Sequence, residues 1–330
     1  MMPTQKPRSW RGAALRLGGS AVVLALLFRF LPFGQLSAAL RRVPLGLWLL
    51  VLGGYLSAHA VGVLKWRLMV NLAGAELSIA QAARCYFAGL FGTLFLPSIV
   101  GGDVIRLGLA LRLARNRAGA LLGALLDRLL DVTALAGLAA FGAFLLPGTL
   151  DPRSRRVFWA VATAVILVMA VLLAVFLLVP SRRFSYKMRR RFVRLRQAMR
   201  SMSRRPKYVG LALSLGVAVQ GSFVLLTTVI AAGCGLRVPL RAWLFAWPLA
   251  KLSALLPVTQ GGIGVREVAL AALVAPFGAA PVLTVAVGLV WEAIIIVGGL
   301  LAGLVSLLLG RYIATARTTP AKISSTPAEE

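Results

Sequence analysis

The sequence predicts an all-α polytopic membrane protein, with about six full spans and two re-entrant helical hairpins in an inverted repeat. Three observations carry this expectation. The 330 residues are 59% hydrophobic with a mean hydropathy of +0.87, and several apolar runs reach the roughly 20 residues that cross a bilayer core of about 30 Å. A motif recurs: Leu96-Pro97-Ser98-Ile99-Val100-Gly101-Gly102 then Arg106 returns 160 residues later as Leu256-Pro257-Val258-Thr259-Gln260-Gly261-Gly262 then Arg266. Finally, of only nine acids, Asp103, Asp127, Asp131, Glu267 and Glu292 fall in membrane-depth segments.

Six stretches read as full spans, at 13–31, 43–64, 118–146, 157–179, 208–232 and 281–309. The first is expected to be a retained helix, because no small-residue cleavage site follows it. Between the second and third spans, 82–115 is interrupted by Pro97 and Gly101-Gly102. Between the fifth and sixth, 240–276 is interrupted by Pro257 and Gly261-Gly262. Pro and paired Gly break the backbone ladder, which lipid does not forgive. Each flanking piece is too short to span, so each segment reads as a re-entrant hairpin with its tip buried in protein. Paired interruptions in two halves also mark the substrate site of a transporter.

The basic residues test this arrangement. With the N-terminus in the cytoplasm, 23 Lys and Arg fall on the cytoplasmic side, Lys65 and Arg67 among them, and seven on the other. That imbalance satisfies the positive-inside rule. The expected organisation is a cytoplasmic tail over 1–12, a first membrane repeat over 13–150, a second over 151–309, and a cytoplasmic tail over 310–330. A net charge of +28 would suggest nucleic acid in a soluble protein; here loop charge that orients the chain accounts for it, and no nucleic-acid partner is expected. The run 181–207 holds 12 basic residues and no acid, interleaved with Phe184, Tyr186 and Phe192. It suits an anionic leaflet and could also dock an acidic cytoplasmic partner. Cys85 and Cys234 lie far apart in apolar contexts, so no disulfide framework is expected.

Candidate binding residues cluster at the interruptions. A new helix is expected to begin after each Gly-Gly, near Asp103 and near Ile263, with unpartnered N–H groups at its start. Arg106 and Arg266 would lie in or near those first turns. Two helix starts and two guanidinium groups converging at mid-depth suit an anionic head group. Equally, Arg106 could pair with Asp103, and Arg266 with Glu267, merely to lock the hairpins. Asp127, Arg128 and Asp131 share the third span, and Glu292 follows Trp291 at nearly the matching place in the last. These carboxylates could counter the two arginines, carry protons, or form permanent ion pairs. Lys251 adds positive charge to the second hairpin. Gln220, Thr259 and Gln260 are polar at depth, and His59 is expected to pack. No Cys/His metal spacing, Walker A run or G-x-S-x-G elbow is present, so no metal, cofactor or catalytic residue is expected.

The runs GGDVIRLGLALRLARNRAGALLGALLDRLLD and LPVTQGGIGVREVALAALV resemble the flippase-like membrane family related to the transmembrane region of lysylphosphatidylglycerol synthases. The resemblance extends loosely over 13–309. It implies a lipid flippase or a close relative; the expected location is a bacterial cytoplasmic membrane, and the charge distribution places both termini in the cytoplasm. The substrates the resemblance implies are aminoacylated phospholipids, polyprenyl-phosphate carriers or hopanoid-related lipids. Two departures stand out. Only about twenty polar residues follow the last span, so no soluble aminoacyl-transferase domain is expected and the chain reads as a non-enzyme. Trp291-Glu292 stands where relatives often carry an Arg. The alternative reading is a non-transporting membrane subunit that presents lipid to a partner synthase or glycosyltransferase.

Overall fold

The computed structural model describes residues 41–95, 99–146, 204–253 and 265–318, plus a few isolated helical positions. The expected spans 13–31 and 157–179 and both tails lie largely or wholly outside these residues. So do most of the loop 181–207 and both proline interruptions. Eight α-helices have defined bounds: α1 (Leu45–Leu72), α2 (Ile79–Thr93), α3 (Ile99–Leu113), α4 (Arg117–Phe144), α5 (Pro206–Gly233), α6 (Leu240–Ser253), α7 (Val265–Val274) and α8 (Pro281–Thr318). A 3-10 turn, Ala275–Phe277, follows α7. No strand occurs among the described residues.

Helices α1, α5 and α8 are long and apolar enough to cross a membrane. The 28 residues of α1 rise about 42 Å at 1.5 Å each. Helix α4 is equally long but carries Asp127, Arg128 and Asp131 near its middle. The 10 to 15 residues of α2, α3, α6 and α7 are too few to span. Outward faces are apolar, with Leu45, Phe144 and Leu307 each at least 70% exposed. In a lipid environment such faces carry no hydrophobic penalty.

Helix α1 extends eight residues beyond the end expected for the second span, which corrects the placement of Lys65 and Arg67 in a loop. Lys65 is only 3% exposed. The helix continues because two carboxylates of α4 meet the Lys65 charge inside the bundle. Gly74, at φ +90°, then caps α1, with Ala75 N–H donating to Val70 O at 3.0 Å. Helix α5 ends identically: Gly235 has φ +82°, and Leu236 N–H donates to Ala231 O at 2.8 Å. Only glycine enters this left-handed region without strain.

Helices α2 and α3 form a hairpin whose two ends meet. Arg115 N–H donates to Ala75 O at 3.1 Å, and the Arg115 guanidinium pairs with Glu76 at 3.0 Å on the surface. A capping box of Ser78 and Gln81 starts α2. Helix α3 is already helical at Ile99, which corrects the expected start near Asp103. Gly101 and Gly102 therefore lie inside the first turn, and Arg106 in the second. The reason is packing: a Cβ on Gly89 would stand 2.9 Å from Gly102 O. Glycine lets the two limbs close.

The helix packing repeats itself. Exchange α1 with α5, α2 with α6, α3 with α7 and α4 with α8, and every substantial helix pair among the described residues maps onto another. Thus α2 lies against α8 while α6 lies against α4, so each hairpin packs on the last helix of the other half. The pair α1–α5 maps onto itself and forms the centre. Two cores result. One is built around Tyr55, Phe223, Trp243, Trp247 and Trp291, the other around Trp66, Cys85 and Ala120.

Candidate functional site

In the first half, three helices deliver charge to one place. Lys65 Nζ on α1 lies 2.6 Å from Asp127 Oδ1 and donates to Asp131 Oδ1 at 2.9 Å, both on α4. Arg106 on α3 donates to Asp103 at 2.7 Å and stands 3.8 Å from Asp127. Arg128 grips the other Asp103 oxygen, through Nε at 2.6 Å and through a second N–H. Asp103 is thereby shared between two guanidinium groups. The Arg106 guanidinium also lies over Trp66 and Tyr86, at 5.2 and 5.1 Å.

The second half repeats this with fewer charges. Arg266 on α7 donates to Glu267 at 2.6 Å and to Glu292 on α8 at 3.1 Å. Its guanidinium lies 5.6 Å from the centre of Trp247 on α6. Each hairpin arginine thus pairs with a carboxylate on the last helix of its own half and lies over a ring from its own first limb.

Arg106 lines a polar cavity whose lining, among the described residues, does not include Arg266. A row of five rings runs between them: Tyr86, His59, Tyr55, Trp291 and Trp247, with neighbouring centroids 4.4 to 6.1 Å apart. Aromatic bulk from both halves fills the centre, and each arginine is held in its own carboxylate nest. His59 belongs to this row, and its Nδ1 lies 3.2 Å from the Tyr86 hydroxyl.

Beside the row is a cavity of about 120 Å³, enclosed by α1 to α6. Lys65, Arg106, Arg128 and Lys251 line it, with Asp103 and Asp131 as its acids. Three of these cations are paired with carboxylates. Lys251 is different: its ammonium donates to the neutral Gln220 Oε1 at 2.8 Å and lies 4.5 Å over the Phe223 ring. No carboxylate among the described residues forms an ion pair with Lys251. With Asp127, which meets Lys65 and Arg106 behind the lining, three carboxylates serve the other three cations, and Lys251 has none.

Gln260, Gly261 and Gly262 lie outside the described residues, as does Thr259. Lys65, Trp66, Tyr86 and Trp247 are site residues that sequence reasoning missed. The spacing Tyr55, His59, Gly62, Trp66, Met69 carried the signal, since it continues one buried helical face past the expected span end. Among the described residues, no three His, Cys, Asp or Glu side chains gather as a metal site.

A family model, the lysylphosphatidylglycerol synthase TM region, matches residues 13–303. The chain belongs to that family. A search of curated proteins finds no match. Membership makes the chain an integral membrane protein of lipid metabolism or transport. The match takes in both charge nests and the polar cavity.

Proposed function

We propose that this chain is a lipid flippase that moves an anionic or lipid-linked head group between leaflets by alternating access. The observation that carries the reading is Lys251, a half-buried cation without a carboxylate partner among the described residues, which lines one polar cavity with Arg106 and Arg128. Intramembrane charge of this kind marks a substrate path. A phosphate oxygen is the natural partner of an ammonium and two guanidiniums held in a low dielectric.

The two halves are proposed to form an inverted repeat, with α2–α3 and α6–α7 re-entering from opposite faces of a bacterial cytoplasmic membrane and both termini cytoplasmic. The exchange symmetry of the packing supports this reading, as does the meeting of the two ends of α2–α3. Rocking one half against the other would move the cavity's opening from face to face. Asp127, Asp131 and Glu292 are proposed to balance charge during that motion. They are assigned no bond-making chemistry, since each sits against a cation in the closed nests.

Purified protein reconstituted alone with fluorescent anionic phospholipid tests the proposal. Transfer above that of protein-free vesicles is expected. A protein that binds the lipid yet moves none of it would instead be the non-transporting subunit that presents lipid to a partner.

A further inference from the structure

A second recess lies on the outside of the bundle and shares no residue with the polar cavity. Helix α2 packs closely on both α3 and α8, but α3 and α8 have no substantial contact with each other. The result is a lateral groove of about 750 Å³ with α2 as its floor and α3 and α8 as its walls. Its depth comes from glycine: the Phe91 ring sits against Gly303, and the Arg84 guanidinium stands 3.1 Å from where a Gly310 Cβ would lie. Along α8 the groove runs from Leu300 to Ala314, about 21 Å at 1.5 Å per residue.

The groove is polarised along its length. Phe91, Ile105, Leu109, Leu300 and Leu304 line one stretch, and Arg84 and Arg311 stand together at the other end. Neither arginine forms an ion pair with a carboxylate among the described residues, although every acid of the membrane-depth nests is bound to a cation. Ser306, between them, spends its hydroxyl on Arg84 O at 3.0 Å. The groove is thus an apolar slot about one leaflet deep that ends in two unneutralised guanidiniums. Its volume falls within the range of small-molecule sites, about 300–1,000 Å³.

We infer that this groove holds one acyl chain of an anionic glycerophospholipid, with the lipid phosphate between Arg84 and Arg311. The inference needs only the membrane setting and stands whether or not the chain transports lipid. On the topology proposed above, the cationic end faces the anionic cytoplasmic leaflet, where each Arg strengthens lipid attraction.

A diazirine side chain introduced in place of Leu304 tests the assignment. The full-length protein is placed in nanodiscs of equal parts phosphatidylglycerol and phosphatidylcholine and irradiated. The phosphatidylglycerol adduct should exceed the phosphatidylcholine adduct about tenfold, and R84Q/R311Q should bring the ratio close to one. R84K/R311K, which keeps the charge, should retain most of the preference and serves if the first pair does not insert. Equal capture of the two lipids by the otherwise unaltered protein overturns the site. So does an adduct to residues 13–31 or to a second copy of the chain, because the groove would then be a packing surface.

Discussion

Tyr86 and Trp247 occupy the same place in the two halves of this protein: each lies beneath the guanidinium of its half's hairpin arginine, Arg106 at 5.1 Å and Arg266 at 5.6 Å. Both rings come from the first limb of a hairpin, and both arginines from the second. The halves therefore share a side-chain arrangement as well as a packing pattern. They differ in charge. The Arg106 nest adds Lys65 and Arg128, while the Arg266 nest holds one cation between Glu267 and Glu292.

Lys251 is the residue on which the transport reading depends. Lys251→Gln should slow transfer of a fluorescent anionic phospholipid about tenfold in proteoliposomes. A hydrogen bond to a charged group is worth about 1.5–3 kcal/mol, and about 1.4 kcal/mol is a factor of ten. Lys251→Arg should keep most of the rate. An unchanged rate in the Gln variant would remove Lys251 from the substrate path.

Arg266 has a structural duty that can be separated from any role in binding. Arg266→Ala removes the cation from the buried Glu267 and the half-buried Glu292 and should destabilise the protein by about 3–5 kcal/mol, seen as a lower Tm in detergent. Adding Glu267→Gln and Glu292→Gln should restore most of the loss. A triple variant no more stable than the single one would show that charge balance is not what Arg266 supplies.

Membrane topology is open to chemical labelling. Cysteines at Glu76 and Arg115, whose side chains meet on the surface, should react with an impermeant reagent from the same side. A cysteine at Ala280 should react only from the opposite side. Opposite labelling of 76 and 115 would mean that the first hairpin crosses the membrane.

Gly102 holds the limbs of the first hairpin together, with its Cα facing the Gly89 carbonyl and Thr93. Gly102→Leu should force them apart at about 1–3 kcal/mol and lower the Tm, whereas Gly108→Leu, in open space, should leave it nearly unchanged. Equal effects at the two positions would rule out the close-packing role.

Much of the architecture was legible in the chain. The recurring Pro, Gly-Gly and Arg marked two corresponding pairs of short packed helices, α2–α3 and α6–α7. Long apolar runs marked α1, α5 and α8. Scarce acids marked the two charge nests, since Asp103, Asp127, Asp131, Glu267 and Glu292 all lie in them.

Which charge meets which was decided by the tertiary structure. Lys65 read as a loop residue because hydropathy falls there, yet α1 carries it inward to Asp127 and Asp131, over 60 positions further along the chain. Arg106 and Arg266 stand at matching motif positions, and a row of five rings from α1, α2, α6 and α8 links the ring under one to the ring under the other, which no local pattern announces. Lys251 read as one more cation; its distinction is that Gln220 and Phe223, rather than a carboxylate, hold it. A charge buried in a membrane requires a partner, and sequence states that requirement locally. The partner itself comes from whichever helix packs alongside, a contact that chain order does not encode.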